Sequence, residues 1–236
     1  EAEIWHKPDN AGPVTEADLA VNDMLEATLR KERPDYGWLS EESHDSPERL
    51  KADRSFIIDP IDGTRSFIDG SDTWAHSLAI AEHGEVVAAV VYLPKRDKLY
   101  AASKGQGATL NGVPIHATTQ PAMRDAKVLA ARPVMHSDLW RDKAPDFNLG
   151  YRPSLAYRLA LVAQGRFDAM LTLRPTWEWD IAAGDLLLRE AGAAVSDRMA
   201  QPLLFNKADP RLNGVVAGGA PLQQQICTAL APVNPL

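Results

Sequence analysis

Residues Ile57–Phe67 read IIDPIDGTRSF. The isoleucines close an apolar, strand-like run. Asp59 and Asp62 follow three residues apart, punctuated by Pro60, Ile61 and Gly63. Asp-Pro-x-Asp fits a type I turn, which holds its first and fourth Cα atoms within about 7 Å. Two carboxylates held that close raise each other's proton affinity unless a cation lies between them. Carboxylate and carbonyl oxygens suit Mg²⁺ in octahedral geometry, and the Ile61 carbonyl offers a further oxygen. Gly63 and Thr64 open a helical turn whose free N–H groups suit a phosphate. An ordinary surface turn has the same spelling, so the reading depends on what accompanies it.

Three other acidic segments accompany it. In WLSEES, Glu41 and Glu42 follow a short apolar strand; alone, the pair also reads as a solvated acidic loop. In WEWDIAAGD, Asp180 precedes a helix beginning Ile181-Ala182-Ala183-Gly184. Alone, Asp180 reads as an N-cap, but the small residues after it admit close approach of another element. In GPVTEAD, Thr15 and Asp18 resemble a capping box, although Glu or Gln is the usual third residue. Each segment sits at a strand end or a helix start, where ligands gather in layered α/β proteins.

The rest of the chain supplies a frame for them. The 236 residues are 45% apolar and 24% charged, enough to bury a sizeable core. A helix is expected from Thr15 to about Arg33, with Val21, Met24, Leu25, Thr28 and Leu29 at helical spacing and Pro34 ending it. Tyr36–Ser40 and Arg54–Asp59 read as strands. Ser77–Pro94 reads as a hairpin turning at His83-Gly84, and a meander continues through Asn111-Gly112. Lys127–Arg132 is a strand, Ser154–Gly165 a helix, FDAMLTL a strand, Asp180–Ala193 a helix, and the run from Gly214 a last strand. Hairpins mixed with separate helices define an α/β (α+β) layered domain. The domain spans 1–236, with a break near Gln120–Asp125 marking halves of 1–122 and 123–236.

PVTEAD, LSEES, DPIDGT and WDIAAG, read in that order from Pro13 to Gly184, resemble the inositol monophosphatase superfamily of Mg²⁺-dependent, lithium-sensitive phosphatases. The resemblance implies an αβαβα sandwich and two or three Mg²⁺ ions. By position it assigns Glu41, Asp59, the Ile61 carbonyl, Asp62 and Asp180 to the metals, with Asp59 bridging. It assigns Thr64 and Asp18 to orienting and deprotonating the attacking water, Glu42 to a supporting carboxylate, and the N–H groups of Gly63 and Thr64 to the phosphate. Metal-activated water then hydrolyses a small phosphate ester without a covalent enzyme intermediate.

Substrate choice is less sharply written. Inositol-selective members of that superfamily carry a glutamate seven residues before the Trp-Asp aspartate; here the position is Leu173, with Glu178 displaced from it. PVTEAD, LSEE and EWD look more like the 3′(2′),5′-bisphosphate nucleotidase branch, although DPIDGTRSF lacks the Lys-Glu-Phe common there, and Arg152-Pro153 replace the usual Gly before Ser154. Arg65, Arg152 and Arg158 are candidates for a second phosphate. Inositol-1-monophosphatase or a related sugar phosphatase is the alternative within the class. A catalytically idle, metal-binding regulatory protein is the alternative outside it.

Other classes fit poorly. A net charge of -7 with no basic stripe argues against nucleic acid. No apolar run approaches the roughly 20 residues of a membrane span. The single Cys227 allows no intrachain disulfide, and a cytoplasmic setting is expected. The six histidines form no closely spaced pair for zinc. No EF-hand or P-loop spelling is present. The resemblance alone suggests a homodimer. The sequence starts at Glu1 rather than Met, which leaves open whether a natural N-terminal segment precedes it.

Overall fold

The computed structural model describes residues 3–6 and 12–232. A short ribbon pairs β1 (Ile4–His6) with β2 (Pro13–Thr15) and leads into α1 (Glu16–Glu32). Thr15 caps α1 and exchanges bonds with Asp18, so the Asp-for-Glu capping box closes. Next come β3 (Gly37–Ser40) and β4 (Arg54–Asp62), the small helix α2 (Thr64–Ile68), and the meander β5 (Ala75–Glu82), β6 (Glu85–Leu93), β7 (Lys98–Ser103), β8 (Ala108–Leu110) and β9 (Val113–Ile115). These strands form one seven-stranded sheet in chain order, parallel only between β3 and β4. His83-Gly84 and Asn111-Gly112 all have positive φ, as two-residue hairpin turns with the twist of the strands require.

The chain continues through β10 (Lys127–Ala130), β11 (Asn148–Gly150), α3 (Leu155–Ala163), β12 (Ala169–Thr172), β13 (Thr176–Trp177), α4 (Glu178–Glu190), β14 (Ala194–Ser196), β15 (Arg211–Leu212), β16 (Val215–Gly218) and α5 (Ala220–Ala229). A second, mixed sheet runs β11-β10-β12-β16-β14, and β13 pairs with β15 as a separate ribbon.

The layers stack as αβαβα. Leu25 and Leu29 of α1 pack on Trp38, Phe56 and Ile58, on one face of the large sheet. The other face and one face of the small sheet enclose α3 and α4 in the main core. Leu222 and Ile226 of α5 cover the far face of the small sheet, against Val128, Leu171 and Val216. Strand β5 alternates strictly in burial, and its inward residues Ala75, Ser77, Ala79 and Ala81 are small. That smoothness admits α4 close to the sheet.

Three expectations need correction, and one helix is absent from the sequence reading. Asp59–Asp62 is not a free type I turn: β4 runs through Asp62, and three residue steps there oppose two on β5, from Asp59↔Ser77 to Asp62↔Ala75. This is a β-bulge, which accepts Pro60 because the ladder is already broken there. Helix α4 begins at Glu178 with Trp177 as N-cap, so Asp180 lies inside its first turn rather than before it. On α1, Met24 and Thr28 are exposed; the inward face is Asp18, Asn22, Leu25 and Leu29, polar where it meets the site. The last strand is followed by α5, whose mixed apolar and glutamine pattern had not suggested a helix.

Helices α3 and α4 meet with the Leu159 side chain against the bare Cα of Gly184. A Cβ on Gly184 would lie 2.3 Å from Leu159 Cδ1 and 2.5 Å from Leu159 Cβ. Gly184→Ala gains about 1 kcal/mol of helix propensity, but overpacking of this kind costs about 1–3 kcal/mol or more. The expected net outcome is a lower urea midpoint with an unchanged m-value; a higher midpoint would mean that the helices separate freely.

Candidate active site

The bulge places two acids where the ladder breaks. Asp59 is 1% exposed and Asp62 6%. The Pro60 carbonyl of the bulge is held by His76 Nδ1. Asp62 is tied to the start of α3, where its Oδ2 accepts from Ser154 Oγ at 2.6 Å and from the Ala156 amide at 2.6 Å. Ser154 in turn caps α3 through the Tyr157 amide. Gly63 follows the bulge at φ 97°, a conformation that favours glycine, and swings the chain into α2. The Ser66 and Phe67 amides close onto the Gly63 carbonyl, and the amides of Thr64 and Arg65 before them have no intrahelical partner.

Helix α4 brings the third acid. Ser77 Oγ donates to the Trp179 carbonyl at 3.0 Å, pinning the first turn of α4 to β5. Asp180 enters the cavity from that turn. Glu178, from the same turn, points elsewhere: it is fully buried and accepts from the amides of Asn206 at 2.6 Å and Lys207 at 3.2 Å. Buried Arg49 grips the same loop through Asn206 Oδ1 and the Lys207 carbonyl. Glu178 therefore cannot stand in for the acid absent at Leu173, which is itself buried in the cavity wall.

Helix α1 supplies the rest. Asp18 Oδ2 accepts from the Thr15 amide at 2.8 Å and from the Thr15 hydroxyl. Asp18 Oδ1 accepts from Thr64 Oγ1 at 3.1 Å, and the same hydroxyl lies 3.2 Å from the Ile61 carbonyl. One turn further along, buried Asn22 accepts from Ser40 Oγ at 2.7 Å and bonds Ser43, to which Trp38 Nε1 also donates. These bonds clamp the Glu41–Glu42 segment, at the end of β3, against α1.

Oxygens of Glu41, Asp59 and Asp180 converge to within 4.8 Å of one another. With Asp62, Gly63 and Thr64 they line a cavity of about 700 Å³. Burial, then the charges of Glu41, Asp62, Asp180 and Glu42, hold the Asp59 carboxyl well above its usual range. Burial, then Asp62 and Glu41, does the same to Asp180. Asp62 is pushed up only to about 6, because the Ser154 hydroxyl and the α3 amides oppose its burial. Asp59 Oδ1 is fully buried and has no hydrogen-bond partner. An all-oxygen donor set, mutual repulsion and an orphaned carboxylate oxygen together fit a hard divalent cation.

Of the arginines expected near a second phosphate, Arg65 and Arg158 line the cavity and Arg152 does not. The Arg152 carbonyl instead receives Arg158 Nε. The sequence reading missed Ser154, Tyr151 and Arg174. Arg174 follows the end of β12, a strand terminus that only the structure shows to face the site.

A family model for the inositol monophosphatase family matches residues 2–233, and the chain belongs to that family of metal-dependent phosphatases acting on small phosphate esters. A Mesorhizobium japonicum protein named inositol-1-monophosphatase is 34% identical over 235 residues, spanning 92% of this chain and 82% of that one. The Nus factor SuhB of Escherichia coli is 36% identical over 197 residues, 78% of this chain and 71% of that one. Among solved structures, an IMPase from Thermotoga maritima superposes with a TM-score of 0.81 at 28% identity, covering 96% of this chain and 86% of that chain. The suhB protein of Bartonella henselae gives 0.79 at 27%, covering 97% and 88%.

The raised acids set a pH dependence for the metal-free protein. Their folded-state pKa values exceed the unfolded ones near 3.9, so the folded state holds more protons than the unfolded one in this window. Stability is then greatest below about pH 4 with respect to these groups and falls as pH rises through 6 and beyond. In chelator, the melting temperature is expected to drop between pH 5 and 8, and Asp59→Asn is expected to stabilise the metal-free protein at pH 7.5 by about 1–3 kcal/mol. A destabilised Asn variant would mean that the four acids do not strain the fold.

Proposed function

We propose that this phosphatase is Mg²⁺-dependent, that it uses two or three ions held by Glu41, Asp59, the Ile61 carbonyl, Asp62 and Asp180, and that it prefers a nucleoside 3′(2′),5′-bisphosphate. The observation carrying the metal assignment is the buried, unpartnered Asp59 Oδ1 among three converging carboxylates. When bound, the cations neutralise phosphoryl charge and lower the pKa of a coordinated water.

The chain's own residues do the rest. Asp18 is fixed by Thr15 on one oxygen and takes the Thr64 hydroxyl proton on the other. The lone pairs of Thr64 Oγ1 are then turned to accept a proton from the attacking water, and Asp18 is its final acceptor. The first-turn N–H groups of α2, from Gly63 and Thr64, hold the phosphoryl oxygens. Glu42 supports the carboxylate cluster, its charge acting on Asp59. Burial of Asp59 and Asp18, each 1% exposed, keeps bulk water from screening these charges.

The nucleotide preference is supported by Leu173, which offers no acceptor to ring hydroxyls. The 34% identical relative named inositol-1-monophosphatase favours inositol phosphate as a second reading. Phosphate release from adenosine 3′,5′-bisphosphate and from inositol 1-phosphate, measured side by side with and without Mg²⁺ and Li⁺, decides between them. Release is expected to need Mg²⁺, to be suppressed by Li⁺ and to be faster from the nucleotide. Faster release from inositol phosphate would install the second reading, and no release from either would favour a regulatory protein. Asp59→Asn is expected to lower kcat by about 10³-fold or more. Thr64→Val is expected to lower it by roughly 10²- to 10³-fold with little change in KM. Near-normal rates in either variant would overturn that residue's role.

A further inference from the structure

The cavity has a cationic wall that hydrolysis of one phosphate does not require. Arg158, on the second turn's start in α3, is 5% exposed yet lines the cavity. Its Nε donates to the Arg152 carbonyl, and its guanidinium lies 4.5 Å from the centroid of the Tyr151 ring. Among the described residues it makes no ion pair. This buried guanidinium is held by a carbonyl and by the Tyr151 ring, with the Asp62 charge acting on it. Arg174, beyond the end of β12, also lines the cavity, is exposed, and has no hydrogen bond or ion pair among the described residues.

Three arginines, Arg65, Arg158 and Arg174, line the cavity beside its carboxylates. Planar guanidinium groups match phosphate oxygens in pairs. A volume of about 700 Å³ also exceeds what a single phosphate fills, and its remaining walls include Pro133, Val134, Leu139 and Leu171, which offer no polar side chain to a sugar hydroxyl.

We propose that Arg158, stacked on Tyr151, and Arg174 form a second anion subsite that binds a phosphate on the leaving-group side of the substrate. It makes bisphosphates the preferred substrate class. The proposal rests on the phosphatase reading above and adds the residues that would read the second charge.

The test compares adenosine 3′,5′-bisphosphate with adenosine 3′-monophosphate, which differ only in that charge. The wild-type KM is expected to be about tenfold or more lower for the bisphosphate. Arg174→Ala, at an exposed position, is expected to raise the bisphosphate KM by about tenfold while leaving kcat and the monophosphate KM within about twofold. Arg158→Lys keeps the charge but loses the fork, and is expected to give an intermediate shift. Equal KM values for the two nucleotides in the wild type, or equal shifts for both in Arg174→Ala, would overturn the subsite. Calorimetric titration of Thr64→Val enzyme in Mg²⁺ with both nucleotides, with and without Arg174→Ala, reads the subsite independently of turnover. Tighter bisphosphate binding that Arg174→Ala abolishes supports it; indistinguishable affinities overturn it. Absence of phosphate release from every ester overturns the phosphatase reading instead, and the titration still decides the subsite.

Discussion

Repulsion among buried carboxylates is the constraint around which this fold is arranged. Glu41, Asp59 and Asp180 share a space less than 5 Å across, with Asp62 beside them. Folding alone would not gather them, since Asp59 and Asp180 lose solvation and the charges beside them raise their proton affinity further. Other contacts must hold each one by its backbone or its outer oxygen. The bulge holds Asp59, the α3 cap holds Asp62, β5 holds the first turn of α4 with Asp180, and Asn22 holds the segment of Glu41. A cation then converts the repulsion into attraction.

The αβαβα stack explains how segments so distant in sequence meet. The ends of β3 and β4 and the starts of α1, α2, α3 and α4 converge on the cavity. Helix starts carry partial positive charge, which favours carboxylates and phosphate alike. Small residues on β5 and Gly184 on α4 let the central helix pair lie close enough for side chains as short as aspartate to reach one another.

Much of this was legible in the sequence. DPIDGT, SEE, WD and TEAD named the acids because short motifs encode local chemistry, and Asn111-Gly112 and His83-Gly84 encoded their hairpins through positive φ. The bulge was not legible, because Asp-Pro-Ile-Asp also satisfies a turn; only pairing with β5 decides. The start of α4 shifted because Trp177 caps without a side-chain bond, leaving no polar marker. The inward face of α1 was misread because Asp18 and Asn22 are polar yet buried, and apolar periodicity does not count them. Arg174 escaped because a lone arginine after a strand carries no motif. It becomes informative only once β12 is seen to end at the cavity.

The contact between Gly184 and Leu159 has a consequence beyond compactness. Asp62 is moored to the first turn of α3 and Asp180 rides on the first turn of α4. With the two helices interlocked one turn behind those positions, the gap between the two acids is gauged from the protein interior, out of reach of any ligand. Asp62 also ends β4, so the same spacing fixes both acids relative to Asp59 three residues before it. A substitution between the helices that never touches the cavity can thereby reach the carboxylates that line it.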